Sequence, residues 1–138
     1  MITVDTNLVV RYLIKDDLVQ TQLAIECFKN NQCLILKTVI LETAWVLSSK
    51  QGYALSRDTI INRIQHLLKL PNVVIEDLNS IVLALHWYAL GMDFADALHL
   101  ASSLQTEQFV TFDKRMVNKA TAFNINQTVI LLEINRAQ

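Results

Sequence analysis

Five short hydrophobic runs with strand character alternate along this chain with longer stretches of helical periodicity, and that alternation leaves few folds open. Residues 1–4, 33–36, 73–75, 109–112 and 128–132 read as strands. Between them the apolar residues recur at helical spacing, as in Val19, Leu23, Cys27 and Phe28, or Ile60, Ile64, Leu67 and Leu68. The predicted order is strand, two helices, strand, two helices, strand, two helices, strand, helix, strand. Such a chain is α/β: a mostly parallel sheet of about five strands with helices on both faces, a three-layer α/β/α arrangement. Capping chemistry sets the helix limits. Asp5, the Asp16-Asp17 pair, Thr38, Ser56, Asn79, Asp93 and Asp113 are placed to open helices, and Gly91 to close one.

At 138 residues the chain is expected to form a single domain, residues 1–138, with enough material for a real core. Hydrophobic residues make up 52% of it and mean hydropathy is +0.30, which suits many buried helices or an apolar face covered by a partner. Two Gly and one Pro leave little room for long flexible loops. The longest uncharged run, residues 78–92, contains Asn79, Ser80 and His86 and is shorter than the ~20 apolar residues of a membrane span. No basic segment precedes an apolar stretch at the start, and the two cysteines, Cys27 and Cys33, match no disulfide framework and no zinc spacing. A reducing cytoplasm is the expected compartment. The net charge of −1 does not mark a nucleic-acid binder, but local charge is less even: Arg11 and Lys15 follow the first acid, and Lys114, Arg115 and Lys119 the last.

In open parallel sheets, sites form at the carboxyl ends of strands. Four segments set acids at such places or beside them: Val4-Asp5-Thr6-Asn7, Leu41-Glu42-Thr43-Ala44, Asp93-Phe94-Ala95-Asp96 and Val110-Thr111-Phe112-Asp113. Asp5 and Asp113 each follow a strand end, where cap and ligand are both available roles. Glu42 has only uncharged neighbours one turn away, namely Thr38, Val39, Trp45 and Val46. A carboxylate buried there needs a distant partner, a raised pKa or a cation. Asp93 and Asp96 share one helix face, with His99 continuing it. Gathered carboxylates repel one another unless a cation lies among them, and hard divalent ions such as Mg²⁺ prefer oxygen ligands. With no Cys/His ligand set, zinc is disfavoured.

The four segments in this order, VDTN, ETAWVL, DFADALHLA and VTFDKRM, resemble the PIN domain, and within it the VapC-type ribonuclease toxins of bacterial toxin–antitoxin pairs. The resemblance runs over nearly the whole chain. It implies a PIN-like, Rossmann-like fold and a Mg²⁺- or Mn²⁺-dependent endoribonuclease that leaves a 5′-phosphate and a 3′-hydroxyl. It places the acidic centre at Asp5, Glu42, Asp96 and Asp113, with Asp93 as a reserve ligand. Thr6, Asn7 and Thr111 fall beside the metal or the phosphate, and Arg11, Lys15, Lys114 and Arg115 are candidates for holding the RNA backbone. It further implies a homodimer neutralised by a cognate antitoxin. Two other readings compete. One is a non-catalytic PIN-like module that binds RNA or protein. The other is a phosphatase of the haloacid dehalogenase type, whose chemistry needs a second Asp where Asn7 stands.

Overall fold

The computed structural model describes residues 1–134. Its elements follow one another as β1 (Ile2–Thr3), α1 (Thr6–Ile14), α2 (Leu18–Asn30), β2 (Cys33–Ile35), α3 (Lys37–Ser48), α4 (Arg57–Leu68), β3 (Val73–Ile75), α5 (Leu78–Ala89), α6 (Phe94–Ser102), β4 (Gln108–Thr111), α7 (Lys114–Ala122) and β5 (Thr128–Leu131). This is the predicted order, and the class is α/β with parallel pairing throughout. The pattern predicts one sheet, whereas the strands form two hydrogen-bonded sheets, β1-β2-β3 and β4-β5. β1 has only two residues to offer a ladder, and both pair with β2. The chain divides into two compact units, Met1–Ile81 and a second from Val82 onward. No helix among the described residues is long and apolar enough to cross a membrane.

In the first unit, the register Ile2–Cys33–Val73 aligns the three strands so that their carboxyl ends share an edge. α1 leaves that edge at Asp5 and packs against α2 and α3, burying Val9, Val10, Tyr12 and Leu13. Ile35, Ile40, Leu47, Ile60, Ile64 and Leu67 form the fully buried centre. The apolar stripes divide between core and surface: Leu13, Phe28 and Leu47 are buried, while Leu23 is 60% and Trp45 64% exposed.

Two predicted caps fall elsewhere. α3 begins at Lys37, so Thr38 lies inside it, and its N-cap Leu36 supplies no side-chain bond. A carboxylate from the next strand end takes that role. Glu76 Oε1 accepts from the Lys37 backbone N–H at 2.8 Å, while the Glu76 N–H donates to Ile35 O at 2.9 Å. Similarly Asn79 lies within α5, and Asp77, at φ 54°, accepts from Ser80 N at 3.4 Å. Lys37 Nζ donates to Asp77 Oδ2 at 2.8 Å, and this bond, followed by one from the Ser80 hydroxyl, holds the Asp77 carboxyl below the ordinary carboxylate range. Local sequence could not reveal the cap of α3, which comes from 39 positions away, whereas Asp77 lies only three residues before Ser80.

The second unit has its own buried set, including Ala84, Leu85, Met92, Ala97, Leu100, Met116 and Ala120. Gly91, at φ 113°, ends α5 as expected, with its N–H donating to Tyr88 O and that of Met92 to Trp87 O. Tyr88 meets Phe94 edge-on, with ring centres 5.6 Å apart. Gln127 Nε2 donates to Ser103 O at 2.8 Å and so ties the start of β5 to the end of α6.

Four non-glycine residues among those described take a positive φ: Lys15, Ala54, Asp77 and Asn124. Lys15 closes α1 at φ 60°, ψ 38°, in the left-handed region. That conformation costs a non-glycine residue about 1–2 kcal/mol, and glycine's greater freedom in the unfolded chain returns part of the gain. Lys15→Gly should therefore stabilise the protein by about 0.5–1 kcal/mol, read as a higher midpoint in urea with an unchanged slope. A lower midpoint would show that the lysine side chain contributes more to the fold than its backbone strain costs.

Candidate active site

In the first unit the site residues lie around the start of α1. Buried Val4 donates its N–H to Leu34 O at 3.2 Å, which fixes the chain just before Asp5. Asp5 is the N-cap of α1, and its Oδ1 accepts from Leu8 N at 3.1 Å. That bond uses one carboxylate oxygen, and Oδ2 has no partner among the described residues. A cavity of about 260 Å³ opens beside it, lined by Asp5, Asn7, Leu8, Arg11, Gln20 and Leu23 among others. Thr6 is half-buried in the first turn of the same helix.

Arg11, a candidate for the RNA backbone, is already engaged. Its guanidinium donates to Gln20 Oε1 at 2.7 Å, to the Tyr53 hydroxyl at 3.0 Å and to Asp16 Oδ1 at 3.2 Å. Tyr53 in turn donates to Asp16 Oδ2 at 2.9 Å, and this hydroxyl, with Arg11 behind it, holds the Asp16 carboxyl below its ordinary value. The arrangement ties α1 to the start of α2 and to the turn after α3. Lys15 lies at the far end of α1, about 15 Å from Asp5 at 1.5 Å per residue, and the structure does not bring the two together.

The sequence reading of Glu42 needs correction. It is exposed on α3, on the same face as exposed Trp45, so no burial penalty acts on it. The apolar neighbours that suggested burial, Val39 and Val46, point to other faces: Val39 is buried and Val46 half-buried. Glu42 has no ion-pair or hydrogen-bond partner among the described residues. Next to it, Thr43 is fully buried and its hydroxyl has no hydrogen-bond partner among the described residues.

In the second unit two acids, Asp93 and Asp113, lie within electrostatic range of a third, Asp96. Asp93 is the N-cap of α6, accepting from Asp96 N at 3.2 Å. Asp113 is the N-cap of α7. Its Oδ1 accepts from Arg115 N at 2.9 Å and from Arg115 Nε at 3.5 Å, and its own N–H donates to Thr111 Oγ1 at 2.9 Å. Thr111 therefore orients the loop that carries Asp113. Asp96, in the first turn of α6, caps nothing and has no ion-pair or hydrogen-bond partner for its carboxylate among the described residues. Burial pushes its pKa up, and the charges of Asp93 and then Asp113 push it further, against smaller opposing effects from His99 and Arg115. Lys114 and Arg115 are exposed beside Asp113.

This donor set fits a hard divalent cation in chemistry, being made of carboxylate oxygens that repel one another. Among the described residues no three His, Cys, Asp or Glu side chains are gathered closely enough to hold a metal ion by themselves. Mg²⁺ does not require three, since it commonly keeps several waters and takes one or two carboxylates.

The strain on Asp96 has a measurable sign. A carboxyl that holds its proton more tightly in the folded than in the unfolded chain destabilises the fold above its ordinary value of 3.8. The penalty fades as pH falls through the raised value and vanishes below the ordinary one. In chelator, Asp96→Asn should raise the melting temperature at pH 7, and the advantage over wild type should shrink to nothing by about pH 3. A variant less stable than wild type at pH 7 would show that Asp96 has a stabilising partner.

No curated protein matches the chain significantly. The family model described as PIN domain matches residues 2–122. That span takes in Asp5, Glu42, Asp93, Asp96 and Asp113 and all but the last strand, and on it the chain belongs to the PIN domain family.

Proposed function

We propose that the chain is a Mg²⁺- or Mn²⁺-dependent endoribonuclease, and that it serves as the toxin of a VapBC-type toxin–antitoxin pair. PIN domains are in general metal-dependent nucleases. The observation that carries the reading to this chain is Asp96: a half-buried carboxylate without a partner, facing the charges of Asp93 and Asp113. A structural acid in that position gains nothing from its surroundings, whereas a cation ligand does. In this reading Asp96, Asp113 and Asp5 hold the ion directly or through water, with Asp93 in reserve. Glu42, exposed and without an ion-pair or hydrogen-bond partner among the described residues, is the further acid of this reading, as a ligand or as the group that orients the attacking water. The bound ion supplies charge neutralisation to the scissile phosphate and acidity to a water. Thr111 keeps Asp113 in place, and the exposed cations Lys114 and Arg115 meet the RNA backbone. Asn7 lines the cavity beside Asp5, and Thr6 follows Asp5 directly in the chain.

Exposed apolar side chains support protein partners. Leu18 (88%), Val19 (71%) and Leu23 (60%) lie along α2, and Trp45 on α3. Such a surface suits a homodimer contact or an antitoxin segment in a cytoplasmic toxin.

RNA cleavage with and without Mn²⁺, on wild type and on Asp5→Asn and Asp96→Asn, tests the reading. Each variant should lose cleavage by roughly a hundredfold or more, the size expected when one group is removed from a charge-stabilising site. Product ends should map as 5′-phosphates and 3′-hydroxyls. Mn²⁺ at about a hundred times its Kd should stabilise the wild type by roughly 2.7 kcal/mol, and Asp96→Asn should lose most of that gain. An Asp5→Asn protein that cuts RNA as fast as wild type would remove the assignment.

A further inference from the structure

A second cavity, of about 450 Å³, lies at the opposite end of α1 from Asp5, and its lining includes Tyr12, Lys15, Thr59, Asn62, Arg63 and His66. Its size falls in the range of small-ligand sites. The charge of its wall is one-sided: two permanent cations and a histidine, with no acid among the lining residues. Four of these residues, Thr59, Asn62, Arg63 and His66, occupy one face of α4 at helical spacing, opposite buried Ile60, Ile64 and Leu67.

The wall is held in place. Tyr12 and His66 share a hydrogen bond of 3.0 Å and stack with their rings 12° from parallel. Arg63 Nη1 donates to Leu13 O at 3.1 Å, which spends one of the five guanidinium donors and fixes the plane of the group. Lys15 Nζ lies over the Tyr12 ring, 5.5 Å from its centre, and has no ion-pair or hydrogen-bond partner among the described residues. Asn62 likewise has no side-chain hydrogen bond there. Thr59 Oγ1 accepts from Ser56 Oγ at 2.9 Å and keeps its own hydrogen to donate.

We propose that this cavity is a binding site for a terminal phosphate group, carried by a ligand of mononucleotide size or by the end of an RNA chain. A phosphomonoester bears nearly two negative charges at neutral pH, matching the two permanent cations, and arginine offers the paired donors that phosphate oxygens accept. Lys15, Asn62, Arg63 and His66 are exposed, so the cavity is open to solvent and the discrimination lies in charge: an internal phosphodiester brings only one negative charge to the two cations. The site goes beyond the nuclease reading, since it shares no residue with the acids and stands about 15 Å along α1 from Asp5.

The test uses isotope-labelled whole protein in chelator, so that metal chemistry plays no part, with amide shifts and calorimetry as readouts. The probes are pyrophosphate, AMP, adenosine, and one short oligoribonucleotide with either a 5′-phosphate or a 5′-hydroxyl. AMP and pyrophosphate should shift the amides of Lys15, Asn62 and Arg63. Adenosine and the 5′-hydroxyl oligonucleotide should bind roughly tenfold or more weakly, the effect of losing a charged hydrogen bond. Lys15→Gly and Arg63→Gln should each weaken AMP binding by a similar factor, and Lys15→Gly should do so without losing stability. Binding of the 5′-phosphate oligonucleotide alongside AMP would identify the RNA end as a source, and binding of AMP alone a free nucleotide. No response to millimolar AMP and pyrophosphate would overturn the proposal. So would oligonucleotides that both shift the Lys15, Asn62 and Arg63 amides and do so equally with and without the 5′-phosphate, or unchanged AMP affinity in both variants. Failure here would leave metal-dependent cleavage untouched.

Discussion

Parallel pairing of β1, β2 and β3 is the constraint from which the first unit's chemistry follows. Three strands running the same way finish on one edge, and every chain segment leaving that edge must start a helix or a turn with its N–H groups unsatisfied. Acids answer that need. Asp5 caps α1, Glu76 reaches across to the first N–H of α3, and Asp77 takes the Ser80 N–H and the Lys37 ammonium. One edge therefore collects carboxylates for structural reasons before any ligand is considered, and the fold supplies the raw material of a cation site at little extra cost. In the second unit Asp113 repeats the device after β4, while Asp93 caps α6 directly after α5.

Because capping explains so many of these acids, an acid's position at a strand end is weak evidence of function. The discriminating feature is an oxygen that capping leaves over. Asp5, Asp93 and Asp113 each use one carboxylate oxygen as a cap. Asp96 uses none, although it is half-buried and lies within reach of two like charges. Its position has an energetic cost that the protein alone does not offset, and this separates it from Asp77, whose carboxylate is paired with Lys37.

The order of the elements was legible in the sequence because strand and helix periodicities differ and the caps at Asp5, Ser56, Asp93 and Asp113 are local. Where a partner came from elsewhere in the chain, local reasoning misassigned it. Thr38 looked like a cap because Glu76, the real one, is 39 positions from the Lys37 N–H that it caps. Glu42 looked buried because its neighbours are apolar, yet a helix can bury Val39, Ile40, Thr43 and Leu47 on one side and leave Glu42 and Trp45 outside. His66 belonged to no motif. Its partner Tyr12 lies 54 residues earlier, and the polar face of α4 reads as an ordinary solvated surface until α1 is placed beside it.

α1 also shows why charge and stability must be separated in this protein. An acid at its N-terminus and a base at its C-terminus both complement the helix dipole, each by about 0.3–1 kcal/mol. Removing either charge therefore affects the fold as well as any ligand. The two ends offer different ways around this. At the N-terminus, asparagine caps nearly as well as aspartate, so an amide at position 5, 93 or 113 deletes the charge and keeps the hydrogen bond. At the C-terminus, the left-handed backbone at Lys15 lets glycine offset the lost dipole contribution with relief of strain. Amide substitution at Asp96 differs from both, since it removes no cap and relieves a repulsion. A protein made more stable in chelator by the same change that abolishes its response to metal would be the plainest sign that the acid is kept for a ligand.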